Sequence, residues 1–138
     1  MTAMVVFLSR AAALAAMAFA LLLPATAQAE ARAETRCGWF VNPTPGNFWL
    51  TDADGDWWLA AQGGLAVGGW ETVDWSKAKF EGDAWVPTHP NGEYGYGCAC
   101  IGGDFGRAAA GEVWFIDTIR ALPLRKCLTD PALPPPPR

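Results

Sequence analysis

The stretch Tyr94-Gly95-Tyr96-Gly97-Cys98-Ala99-Cys100 restricts what this chain can become more than any other. Successive side chains of a strand point to opposite faces. Tyr94, Tyr96, Cys98 and Cys100 therefore share one face, and Gly95, Gly97 and Ala99 leave the other nearly bare. A glycine-lined face marks the close approach of a ring or another backbone, and with 8 tryptophans in the chain an indole is the expected occupant. The strand holds two of the 4 cysteines; the others are Cys37 and Cys127. Same-face residues two apart lie near the limit of disulfide geometry. One bridge from Cys37 and one from Cys127 into this strand is thus expected, with the pairing left open. A metal reading of Cys98-Ala99-Cys100 would need two further ligands. The only histidine, His89, sits in the turn-forming run Pro87–Gly92, and neither a metal nor a cofactor is expected.

Structural disulfides belong to an oxidising compartment, and the N-terminus agrees. Ala11–Leu23 is a run of 13 apolar residues before Pro24 and the small-x-small site Ala27-Gln28-Ala29. That is the layout of a secretory signal peptide, and it is shorter than the about 20 residues that cross a bilayer. Residues 1–29 are read as a signal peptide with cleavage after Ala29, which places the protein in the periplasm or outside the cell. Removing Arg10 leaves 9 basic against 14 acidic side chains, a net charge of −5. This balance argues against nucleic acid and anionic membrane as partners, and no membrane insertion is expected after cleavage.

The remaining chain reads as short strands. Residues 30–35 form a flexible leader, 36–130 a single all-β domain and 131–138 a proline-rich tail. Phe48-Trp49-Leu50 and Trp57-Trp58-Leu59 flank the Asp-Gly-bearing loop Asp52–Asp56, a hairpin signal. Tyr94–Ile101 and Glu112–Ile119, joined by Gly102–Gly111, predict a second hairpin, ended by Leu122-Pro123-Leu124. Trp70–Trp85 is the most polar stretch, with room for at most one irregular helical turn around Asp74–Lys79. The predicted fold is a small disulfide-stabilised antiparallel sheet or sandwich without substantial helix.

Arg36-Cys37-Gly38-Trp39, Asn42-Pro43-Thr44-Pro45, Trp49-Leu50, Asp52, Asp54-Gly55, Trp57 and Gln62-Gly63-Gly64 resemble a family of bacterial exported proteins, domain of unknown function 4087. The string from Tyr94 to Cys100, and Leu122-Pro123-Leu124 with Cys127, Asp130 and Leu133, extend the resemblance from about Arg36 to Pro134. The middle, Leu65–Glu93, departs from the pattern, with His89-Pro90 inserted before Asn91-Gly92. The resemblance implies an exported location and no particular activity.

Catalytic chemistry finds little support. Ser76 is the only serine after residue 29, and no strand-turn-helix elbow surrounds it. In the Asp52–Asp56 loop glycine is fourth and the twelfth position is Gly63, which departs from an EF-hand. An Asp-rich hairpin turn explains it better. Glu71, Asp74, Glu81 and Asp83 read as a solvated stretch. The aromatic pairs Trp39-Phe40, Phe48-Trp49, Trp57-Trp58 and Trp114-Phe115 remain; in strands each would send one ring to each face. Trp49, Trp57 and Trp58 are the platform candidates, where an exposed ring would stack on a sugar and the adjoining carboxylates would accept hydroxyl hydrogen bonds. The expected function is a non-catalytic binding or interaction domain of the bacterial envelope, with an envelope glycan or protein as partner. The alternatives are an inhibitor or stress protein acting on a cell-wall hydrolase, and a small carboxylate-dependent hydrolase.

Overall fold

A computed structural model describes residues 32–138; the expected signal peptide lies outside the described residues. Six strands follow in chain order: β1 (Arg32–Asn42), β2 (Phe48–Asp52), β3 (Gly55–Ala60), β4 (Trp85–Pro87), β5 (Gly95–Phe105) and β6 (Val113–Leu122). One short helix, α1 (Arg125–Leu128), closes the series. The irregular turn around Asp74–Lys79 is a 3-10 turn over Trp75–Ala78, with the Asp74 side chain accepting from the Ser76 N–H. No helix among the described residues is long and apolar enough to cross a membrane.

All pairings within the six-stranded sheet are antiparallel, in the order β3-β2-β1-β5, and the far edge of β5 pairs with β4 at one end and β6 at the other. Both predicted hairpins form, β2–β3 and β5–β6. The segment 66–68 joins the sheet's two edges: Val67 N–H donates to Leu59 O of β3 at 2.9 Å, and Gly68 N–H donates to Trp114 O of β6 at 3.1 Å. The sheet is therefore curled into a roll. The leader expectation is corrected. Arg32–Thr35 pairs with Gly102–Phe105, so β1 begins four residues before the predicted domain start.

Alternation assigns each strand an inner and an outer face. The inner core gathers Phe40, Leu50, Trp57, Leu59, Ala99, Ile101, Phe105, Val113, Ile116 and Ile119. The outer core is thinner: Trp39, Val41, Cys98 and Cys127, with Leu122, Leu124 and Leu133 against it. Three of the four adjacent aromatic pairs split between the faces as the period of two requires. Trp114 and Phe115 do not, and both are exposed (44% and 42%), because the β5–β6 register shifts at Gly102/Gly103 and Asp104/Phe105.

The disulfides are Cys37–Cys100 and Cys98–Cys127. Cys37 and Cys100 are cross-strand partners on the outer face, whereas Cys98 ties α1 down over Trp39. The proline-rich tail is anchored at its start. Leu133 packs on the outer core, and Pro134 O accepts the Trp39 indole N–H at 3.0 Å. The bare glycine strip is covered, but not by an indole. A Cβ on Gly97 would lie 2.4 Å from the Phe80 ring, and one on Gly95 2.1 Å from Val86 O of β4. Phe80 also packs against Trp85, whose ring centroid is 5.2 Å away.

Candidate functional site

The expected platform is divided by the fold. Trp57 points inward and is buried (1% exposed). The Arg36 guanidinium lies 3.9 Å above its ring and 5.5 Å from that of Phe105. Trp58 points outward, is 49% exposed, and meets half-buried Trp49 across the hairpin at 5.0 Å between centroids. Trp58, Trp49, Val41 and Tyr96 stand in register across β3, β2, β1 and β5, an apolar row on the outer face. Trp57 is thus removed as a binding candidate.

The carboxylates of the Asp52–Asp56 turn are engaged within the protein. Arg36 Nη1 donates to Asp52 Oδ2 and to Asp54 Oδ2, each at 2.8 Å, and Arg36 Nε donates to Glu34 Oε1 at 2.9 Å. Asp52 Oδ1 accepts from Asp54 N–H at 2.8 Å, the Asx turn that closes the hairpin. Thr51 Oγ1 donates to Asp56. Burial works against the Arg36 charge, but its hydrogen bonds to Asp54, Asp52 and Glu34 outweigh burial and hold its pKa above the ordinary arginine value. The turn that was expected to face sugar hydroxyls is therefore a clamp on Arg36. Among the described residues, no group of three or more His, Cys, Asp or Glu side chains is placed to hold a metal ion.

A different set of rings comes together at the open end of the roll. Phe40 of β1, Phe48 of β2, Trp70, Trp75 and Phe80 of the segment between β3 and β4, and Trp85 of β4, with Ala78 and Glu93, line a cleft of about 460 Å³. The rings touch in sequence. Phe48–Trp70 lie 5.0 Å apart between centroids, Trp70–Trp75 4.6 Å, Trp75–Phe40 6.4 Å, Phe40–Phe80 5.6 Å and Phe80–Trp85 5.2 Å. Two indole donors fix the walls to backbone: Trp75 Nε1 donates to Trp70 O at 2.9 Å and Trp85 Nε1 to Gly92 O at 3.2 Å. Glu93 is the only ionisable side chain among the lining residues. It is positioned by Asn91, whose Nδ2 donates to Glu93 Oε2 at 3.1 Å and whose Oδ1 accepts from Glu93 N–H at 3.1 Å.

Sequence reasoning missed this cleft. The solvated reading of Trp70–Trp85 holds for Glu71, Asp74, Glu81 and Asp83, all exposed, but not for the rings between them. A signal was present: aromatic residues recur at every fifth position, 70, 75, 80 and 85. That spacing matches neither helix nor strand, so periodicity alone does not reveal it. It suits irregular chain that dips a ring repeatedly onto a sheet.

No curated protein and no solved structure matches the chain. One family does, described as a protein of unknown function (DUF4087), over residues 31–134. That span holds both disulfides, every strand of the roll and every ring of the cleft, and the chain belongs to this family.

Proposed function

We propose that this protein is an exported, non-catalytic binding domain of the bacterial envelope and that the aromatic cleft is its binding site. One observation carries the reading. The inner core is closed around Leu50, Trp57, Ile101 and Ile116, and beside it six aromatic rings line an open cleft of about 460 Å³. A concave apolar pocket with few polar groups is the usual form of a ligand site. The lining includes one ionisable side chain, Glu93, so no nucleophile-base or acid-base pair faces the space. Two disulfides in a chain of this size suit an oxidising compartment.

The test follows the indole N–H resonances of the purified oxidised domain during titration with envelope glycan fragments and with pooled small metabolites, while hydrolysis is assayed in parallel. Saturable shifts at Trp70, Trp75 and Trp85, without turnover, are expected. Shifts confined to Trp49 and Trp58 would move the site to the outer row, and turnover lost on replacing one carboxylate would make the protein an enzyme. Either outcome overturns the proposal.

A further inference from the structure

We infer that the ligand group taken by the cleft is a methylated ammonium cation, such as a trimethylammonium group; the inference rests on the cleft being the binding site. Three features point to this chemistry. First, the walls are indole and phenyl rings, whose faces are negative and attract an organic cation within about 6 Å of the centroid, tryptophan most strongly. Three of the lining rings are tryptophan. Second, the one formal charge at the rim is negative. Glu93 is exposed, oriented by Asn91, and has no cationic partner among the described residues. Residues 70–93 add Glu71, Asp74, Glu81 and Asp83 against only Lys77 and Lys79, so the surroundings favour a cation as well.

Third, the lining suits a cation that needs no directed hydrogen bonds. The Trp75 and Trp85 donors are already taken by Trp70 O and Gly92 O. A sugar entering this space would leave most of its hydroxyls unpaired, at a cost for each buried group. A primary ammonium would leave unpaired every N–H that does not reach the Glu93 carboxylate at the rim. A trimethylammonium group has no N–H, carries its charge over apolar methyls and loses little hydration on entering an aromatic site. The group could arrive on a free solute or on a lipid headgroup, and the chemistry at the cleft is the same.

The test compares choline with its neutral carbon isostere, in which a tert-butyl group replaces the trimethylammonium, on the oxidised domain with indole resonances as the readout. Choline is expected to bind about tenfold more tightly than the isostere, as cation–π attraction in a partly desolvated site predicts. Glu93→Gln should weaken choline binding roughly threefold at low salt and less at high salt, since the carboxylate is exposed and screened. Trp85→Leu keeps an apolar wall but removes an aromatic face; it should weaken choline by a larger factor than the isostere, with a melting curve confirming that the variant is folded. Equal affinity for choline and the isostere overturns the cation inference and leaves the cleft as a binding site. No shift at Trp70, Trp75 or Trp85 with either compound, together with none from glycans or metabolites, overturns both. Co-sedimentation with phosphatidylcholine vesicles but not phosphatidylglycerol vesicles would assign the group to a headgroup; binding of free choline without vesicle binding would assign it to a solute.

Discussion

On the inner face of the sheet, Leu50, Trp57, Ile101 and Ile116 are enclosed by the roll and by the segment that closes it, whereas on the outer face Trp39, Val41 and Cys98 are covered by little more than α1 and Leu133. The inner face gathers most of the buried apolar side chains. The outer face gathers few, and both disulfides lie there, one across β1 and β5 and one onto α1. Covalent staples stand where the core is thin, as they do in small disulfide-bonded domains generally. The thick face has rings to spare, and the cleft opens there.

Breaking the outer staple should have the largest effect. The Cys98–Cys127 bridge closes a loop with a sequence separation of 29, for which chain entropy predicts a stabilisation of roughly 3–4 kcal/mol. The double variant Cys98→Ala, Cys127→Ala should melt many degrees lower in thermal denaturation. A change of only a degree or two would show that the outer face holds itself.

Arg36→Ala probes the inner face at its polar end. It removes the cover of Trp57 and leaves Asp52, buried among the turn's backbone, without its counter-ion. Breaking such a pair costs about 3 kcal/mol or more, measurable as a lower denaturant midpoint. Asp54→Ala should cost much less, since that carboxylate is exposed.

Truncation before Leu133 tests whether the tail belongs to the outer core. Loss of the Leu133 contact and of the Trp39-to-Pro134 hydrogen bond should cost about 1–2 kcal/mol. The Trp39 indole N–H should then exchange with solvent far faster. Trp58→Ala, by contrast, should cost under about 1 kcal/mol because half the ring is already in water. A loss as large as that for Arg36→Ala would mean that the outer row is core.

The smallest effect is electrostatic. Arg107 donates to Glu112 through both its side chain and its backbone N–H, and these bonds lower the Glu112 pKa from 4.5 to about 2. A depressed carboxylate stabilises the fold fully above its unfolded pKa and loses that contribution as pH falls through the folded one. The β5–β6 connection should therefore weaken between about pH 4.5 and pH 2. The Glu112 carboxyl shift should titrate near 2, and Arg107→Gln should return it toward 4.5.

Strands β2, β3, β5 and β6, both hairpins and the membership of each disulfide half were legible because they are local. Period-two alternation set the faces of Trp39-Phe40, Phe48-Trp49 and Trp57-Trp58, the Asp-Gly turn closed β2 onto β3, and Cys98 and Cys100 could not easily pair with each other. Which cysteine takes which partner depended on register: Cys37 lies opposite Cys100 only because β1 and β5 pair along their whole length. The fates of Trp57, Arg36 and the tail likewise required knowing what lies above each side chain. The cleft is the extreme case. Its rings come from β1, β2, β4 and the irregular segment between residues 70 and 80, and their convergence follows neither the strand period nor the helix period. A sequence records which side chains alternate, turn and repeat along a line. The empty volume bounded by Phe40, Trp75 and Trp85 exists only where distant segments meet without filling the space, and tertiary packing alone decides that.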